Sequence, residues 1–366
     1  MSATTDRVDR TDLARHSLEV ILRWQTPGGA FIAGPTFSQY GYSWFRDSAF
    51  IAEALDVCGQ IEASARFHDW AARVVLEGRD GMERAIAAAA DGRLPDADDY
   101  LHCRYTADGA TGPDDWPTFQ LDGPGIWLWS LGHHVRAGGS LTTDAADAAR
   151  LVGRYLAALR HTPAADAWEE SWDRVHTSTL GASLAGLRAI AALGLDEPPF
   201  AAARDELEAT LLGAASWTKW PGNDAVDASL LWLVAPYELV EPSATVAAAT
   251  LALIERELED EDGGVHRYRA DTYYGGGAWP LLAVALARAR LRRDGPGDRD
   301  RAWRALAWIE AQADAAGDLP EQVATHALHP GRIAEWRGSW GESARPLLWS
   351  HATYLVLRHE LGLSLP

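Results

Sequence analysis

Helical periodicity dominates this chain, and the connections between its helical stretches alternate between two kinds. Val152, Tyr155, Leu156 and Leu159 fall at i, i+3, i+4 and i+7 behind Thr and Asp capping candidates. Leu180, Leu184 and Leu187 repeat the pattern, and Leu251, Ile254 and Leu258 repeat it again. The spacing predicts helices near 8–24, 46–59, 61–78, 120–137, 142–160, 175–193, 196–213, 224–234, 242–259, 275–293, 299–314 and 345–361, with no convincing series of alternating strands. After each even-numbered helix the connection is short and plain: "GQ", "GGSLTT", "GLDEPP", "VEPSA", "DGPGD". Before each even-numbered helix it is long and rich in aromatic and charged residues. These segments are "SQYGYSWFRDSAF", "DDWPTFQLDGPG", "WEESWDRVHTST", "WTKWPGNDAVDAS", "GGVHRYRADTYYGGGAW" and "LPEQV…WSHA". In a closed ring of six helical hairpins all six rich segments meet at one rim, where loops on a rigid scaffold form a concave site. The expectation is therefore an all-α (α/α)6 toroid in a single domain spanning 1–366. An open solenoid of helical pairs would need a repeating consensus, which this sequence lacks.

Charge narrows the partners. Asp and Glu outnumber Lys and Arg, 52 to 33, for a net charge of −19. Such a surface repels a phosphate backbone, so nucleic acid is not an expected partner, whereas a neutral sugar is compatible with it. Cys58 and Cys103 form no disulfide framework, and the histidines show no metal-ligand spacing, so neither a metal nor another cofactor is expected. The first residues are charged and lack an apolar core, and no run of 18 apolar residues suggests a membrane span. A cytoplasmic protein is the expectation, with a homo-oligomer left open. Tryptophan is abundant, with 17 in the chain. Many of these lie beside Gly, Asp and Arg in the rich segments, where exposed indole faces suit the apolar faces of sugar rings.

At six ordered places over nearly the whole chain, the rich segments resemble those of glycoside hydrolase family 15, the glucoamylase, glucodextranase and trehalase-like enzymes. "YSWFRDSAF" resembles its W-x-R-D segment, and "WEE" its general-acid segment. "RYRADTYYGGGAW" resembles its R-Y-x-x-D-x-Y-x-G segment, and "LPEQ" followed by "PLLWSHA" its general-base segment. No single tetrapeptide is specific; their order along an all-helical chain of this length is.

The resemblance implies inverting hydrolysis of α-glucosidic bonds, with Glu169 as general acid and Glu321 as general base. In such a reaction the two carboxyls stand roughly 6.5–9.5 Å apart to admit a water. Trp168 and Glu170 are expected to raise the pKa of Glu169 by desolvation and like charge. By spacing alone, Glu169 and Glu170 would also read as ordinary glutamates at a helix start. Glu335 and Glu342 are the rivals of Glu321. The resemblance further implies that Arg46 and Asp47 grip hydroxyls of the non-reducing glucose, against the bland reading of a surface ion pair worth under about 1 kcal/mol. Tyr42, Trp44, Trp116, Gln120, Asp122, Trp168, Glu170, Arg267, Asp271, Tyr274 and Trp279 complete the implied substrate-binding set, Glu170 on the leaving-group side.

Three features depart from many family members. The chain is expected to lack an N-terminal β-sandwich and a carbohydrate-binding module, and the 322–345 segment is long, its Trp336 and Trp340 suited to a lid. A small α-glucoside is thus the expected partner, with isomaltose or short α-1,6-linked oligosaccharides preferred and trehalose and maltose as alternatives. From other classes, a sugar epimerase, a non-catalytic sugar-binding toroid and a phosphorolytic enzyme compete. Epimerases on this toroid usually depend on histidine bases, and a phosphate site calls for a Lys/Arg cluster that the rich segments lack.

Overall fold

A computed structural model describes residues 10–112, 116 and 119–366. Residues 8 and 9 of the expected first helix lie outside the described residues, as do 113–115, 117 and 118 of the second rich segment.

Six helices form a closed inner ring. They are α2 (Phe45–Val57), α5 (Asp122–Arg136), α7 (Thr177–Ala192), α9 (Leu231–Val234), α11 (Pro280–Arg293) and α14 (Leu348–Glu360). Each packs on the next in this order, and α14 packs back on α2. The chain places one outer helix before or between them: α1 (Arg10–Arg23), α3 (Ile61–Glu77), α6 (Thr143–Leu159), α8 (Pro198–Leu212), α10 (Thr245–Glu257) and α12 (Asp298–Ala311). This is the anticipated (α/α)6 toroid.

The two rings differ as their sequences do. Inner helices are covered on all sides: every residue of α2 from Phe45 to Asp56 is buried, as is every residue of α14 from Leu348 to Arg358. Outer helices bury one stripe, such as Phe200, Ala203, Leu207 and Leu211 on α8, which is the signature of an amphipathic helix. The inner pair α5 and α7 approaches backbone to backbone. A Cβ on Gly125 would stand 2.6 Å from the Ala182 carbonyl oxygen, and one on Gly186 would stand 2.6 Å from the Gly125 oxygen. Any larger residue at either place would push these helices apart.

Several boundaries differ from the sequence reading. Two helices were not anticipated: α4 (Arg79–Ala90), following Gly78 at the end of α3, and α13 (Gly331–Trp340), inside the long 322–345 segment. The fourth inner helix is short, because residues 224–227 are not helical and a 3-10 turn (Ala228–Leu230) precedes α9. The helix expected from residue 275 starts at Pro280, since Gly275 and Gly276 adopt φ of 75° and 68° in a turn. A two-residue antiparallel pair, β1 (Ser43–Trp44) with β2 (Arg104–Tyr105), stitches the first rich segment to the stretch that precedes the second.

Candidate active site

The rich segments lead into the N-termini of the inner helices, and a cavity of about 290 Å³ opens among five of them, the fourth, at 217–229, contributing no lining residue. Nine anticipated residues line it: Trp44, Arg46, Asp47, Trp116, Trp168, Glu169, Arg267, Trp279 and Glu321. Phe37, Tyr40, Tyr273, Trp336, Trp340 and Trp349 add further aromatic wall.

Glu169 sits in a tight turn, well before α7 begins. Asp166 builds that turn: its Oδ1 accepts from the Trp168 amide at 3.0 Å and the Glu170 amide at 2.9 Å, and its carbonyl accepts from the Glu169 amide at 2.9 Å. Glu169 itself is left-handed, with φ of 65°. A non-glycine residue there costs on the order of 1 kcal/mol or more, so the surrounding bonds must hold it. Glu169 is thus not a helix-start glutamate. Its Oε1 accepts from Trp44 Nε1 at 2.7 Å and Gln120 Nε2 at 3.0 Å, and its Oε2 from Trp116 Nε1 at 2.8 Å. Three N–H donors fix the plane of this carboxyl group.

The left-handed turn sends consecutive side chains to different places. Glu170 does not press on Glu169; it pairs with Arg267 Nη2 at 3.1 Å, with Lys219 Nζ at 3.4 Å and with the Tyr268 hydroxyl. Burial pushes the Glu170 carboxyl up, but Arg267, Lys219 and Tyr268 outweigh it and hold the group below its ordinary range. Trp168 turns its Nε1 onto Asp227, 3.0 Å from each carboxylate oxygen.

Glu321 reaches the same cavity from the last rich segment and is only 3% exposed. Its amide donates to the Ala344 carbonyl at 2.9 Å. The Tyr40 hydroxyl donates to Oε1 at 2.5 Å, and Ser343 Oγ donates to Oε2 at 3.3 Å. Burial pushes the Glu321 carboxyl up to about 7, against the lowering effect of Tyr40, Arg267 and Ser343. The rivals are elsewhere: Glu342 pairs with Arg337 at 2.8 Å on the surface, and Glu335 pairs with Arg332 at 2.7 Å.

Arg46 and Asp47 open α2 at the bottom of the cavity, where both are buried. Arg46 Nη1 donates to Gln120 Oε1 at 2.9 Å and to Asp122 Oδ2 at 3.0 Å, and Nη2 stands 3.6 Å from Glu169. Asp47 Oδ2 accepts no hydrogen bond, its nearest cation being Arg46 Nε at 3.5 Å. Burial raises the Asp47 carboxyl to about 6; Arg46 opposes this and Glu169 adds to it. The Asp47 side chain lines the cavity and stays 12% exposed, which suits the carboxylate to a ligand hydroxyl.

The profile of glycosyl hydrolases family 15 matches residues 8–359. The chain belongs to this family. An isomaltose glucohydrolase from Kribbella flavida is 44% identical over 97% of this chain and 94% of that protein. A solved glycosidase variant carrying a glutamate-to-alanine change, in complex with glucose, superposes with a TM-score of 0.91. It is 41% identical and covers 98% of this chain and 100% of that one. The glucoamylase of Hormoconis resinae shares the fold, with a TM-score of 0.69 at 16% identity, over 95% of this chain and 72% of that one. The family 15 chain described here is a glycoside hydrolase.

Other anticipated residues of this family 15 site stand behind the lining. Gln120 and Asp122 brace Arg46, and Asp271, fully buried, braces Arg267 through its Nε at 2.8 Å. Tyr42 faces away; its ring carries the Arg104 guanidinium at 4.3 Å. Tyr274 donates to Glu342 at 2.5 Å beneath α13. That helix carries Trp336 and Trp340 to the cavity, Trp340 being 52% exposed. Sequence reasoning missed Tyr40, whose hydroxyl bridges Glu321 and Tyr273, the latter at 2.8 Å. It also missed a group of metal-capable side chains: Asp56, His68 and His134 bring ligand atoms within 4.8 Å of one another. This group lies at the C-terminal end of α2, far from the cavity, and its members come from three different helices, which no linear spacing announces.

Proposed function

We propose that this enzyme is an inverting, exo-acting α-glucoside hydrolase that releases β-glucose from the non-reducing end of isomaltose or a short α-1,6-linked oligosaccharide. The observation that carries the reading is the meeting of Glu169 and Glu321, from separate segments, in one cavity floored by Arg46 and Asp47. In the proposed reaction Asp47 and Arg46 hold hydroxyls of the terminal glucose, which rejects sugars lacking them. Glu169 gives its proton to the glycosidic oxygen as the C–O bond breaks. Glu321 takes a proton from water as that water bonds the anomeric carbon from the opposite face. One proton leaves Glu169 and one arrives on Glu321, so the pair resets by proton exchange with solvent. Glu170, about a third exposed and paired with the lining residue Arg267, is assigned to a hydroxyl of the leaving sugar. The preference for isomaltose draws support from the 44% identical relative bearing that name. Among the described residues no helix is long and apolar enough to cross a membrane. The proposed setting is the cytoplasm, where a small imported sugar would be met.

Proton NMR of the fresh product tests the stereochemistry: β-glucose is expected first, and α-glucose first would sink the two-carboxylate scheme. Rates on isomaltose, maltose and trehalose test the linkage, and isomaltose as the slowest would refute that choice.

A pH dependence follows from Tyr40. Glu321 titrates near 7, so one limb of the kcat/KM profile is expected near pH 7. Tyr40 bonds the ionised form of Glu321 and lowers its pKa. Tyr40→Phe removes that bond, the protonated form gains, and the limb is expected to move to higher pH. A limb that stays in place in a pH–rate series of the variant would contradict this.

A further inference from the structure

Beneath the Glu169 turn lies a cation that no part of the proposed chemistry uses. Lys219 is 6% exposed and does not line the cavity. Its Nζ stands 3.1 Å from Asp166, 3.4 Å from Glu170 and 3.5 Å from Asp227, and 3.5 Å from the centre of the Tyr268 ring. Each of these three carboxylates fixes a part of the segment that presents Glu169. Asp166 closes the left-handed turn through the Trp168 and Glu170 amides. Asp227 holds the Trp168 indole. Glu170 itself follows Glu169 in the chain. A buried carboxylate stays ionised only when paired, and Asp166 is 2% exposed. Burial pushes its carboxyl up, Lys219 and His176 pull it down, and the net shift is upward. Asp166 is therefore the member of the group most in need of the cation.

We propose that Lys219 is the positioning residue of the general acid: by neutralising Asp166 and Asp227 it keeps the strained turn that aims Glu169 at the glycosidic oxygen. This rests on Glu169 being the acid, and the two claims separate by experiment. An acid matters where the leaving group departs as an alkoxide, as in isomaltose, and little where it departs as fluoride, as in α-glucosyl fluoride. Glu169→Gln is the reference: a loss of about 10²–10⁴-fold on isomaltose, with little change on the fluoride, is expected if Glu169 is the acid. Equal losses on both substrates would reject that assignment.

Lys219→Met keeps the length and removes the charge. Turnover of isomaltose is expected to fall about 100-fold, the cost of a small misplacement of a reacting group, while turnover of α-glucosyl fluoride stays near the native rate. Adding Asp166→Asn should restore most of the lost rate. Its Oδ1 still accepts both amides, and the charge that depends most on Lys219 is gone, while Asp227 keeps the bonds from Trp168 Nε1, the Ser229 amide and Ser229 Oγ. Native turnover of isomaltose by folded Lys219→Met, or equal losses on the two substrates while Glu169→Gln discriminates them, would overturn the proposal. Should the single variant not fold, Lys219→Met/Asp166→Asn carries the same comparison. Near-native rates on both substrates are then the supporting result, and an equal loss on both the refuting one.

Discussion

Glu321→Gln is expected to lower kcat by about 10²–10⁴-fold and, above neutral pH, to leave the protein more stable than the native chain. The two effects share one cause. Glu321 is nearly fully buried, and its carboxyl is raised from 4.5 to about 7. A group whose folded-state pKa lies above its unfolded value binds more protons in the native state, so stability falls as pH rises through that window. The window here runs from about 4.5 to 7, and above it the native protein carries a buried carboxylate at a cost on the order of 1–3 kcal/mol. Glutamine has the same shape, still accepts from Tyr40, and is neutral at every pH. Thermal denaturation at pH 8 should therefore favour the variant, and the difference should vanish at pH 4. KM should change little, because the proposed partner of Glu321 is the attacking water and not the sugar. A variant with native turnover would remove Glu321 from the chemistry. A variant less stable at pH 8 would show that the Tyr40 and Ser343 bonds outweigh the cost of burial.

The site was legible where its chemistry is contiguous. Trp44, Arg46 and Asp47 arrive together, as do Trp168 and Glu169, and each short run was recognisable without knowing its neighbours. The toroid was legible because outer helices such as α8 bury one stripe at helical spacing, and because plain and rich connections alternate. Inner helices such as α14 are buried on every side and lose that periodicity, so their ends were placed by the segments preceding them.

What escaped the sequence depends on direction or on long-range meeting. "SQYGYSW" offers two tyrosines two residues apart, and nothing local says that Tyr40 reaches Glu321 while Tyr42 lies against Arg104. Glu170 was expected to act on its neighbour, but the positive φ of Glu169 turns the two side chains apart. Lys219 is one lysine among tryptophans until the 166–170 turn and Asp227 of its own segment meet around it. The helix α13 was hidden inside a stretch with Gly, Pro and His at its start, and it has no buried residue to give it a periodic stripe.

Arg46→Met is expected to cost about 3–5 kcal/mol of stability, the penalty for stranding buried charges, together with nearly all activity. Arg46 is a cation shared by Asp122 at 3.0 Å, Asp47 at 3.5 Å and Glu169 at 3.6 Å. These three carboxylates hold its guanidinium well above its ordinary pKa despite burial, which acts the other way. Without it, two or three carboxyls must take up protons or repel one another, and Glu169 would lose both a neighbouring charge and the Gln120 that Arg46 orients. Arg46→Lys separates charge from shape. An ammonium restores one positive charge but cannot serve Gln120 and Asp122 from one nitrogen while reaching Asp47 and Glu169 with others. The lysine variant should therefore regain a good part of the stability in chemical denaturation and little of the kcat/KM. If Arg46→Met instead unfolded within 1 kcal/mol of the native chain, Arg46 and Asp47 would be no more than the weak surface pair that their sequence alone also allows. Their burial at the cavity floor argues against that outcome. A pair buried there is retained at a cost in desolvation, which the proposed grip of the cavity-lining Asp47 on a sugar hydroxyl would offset.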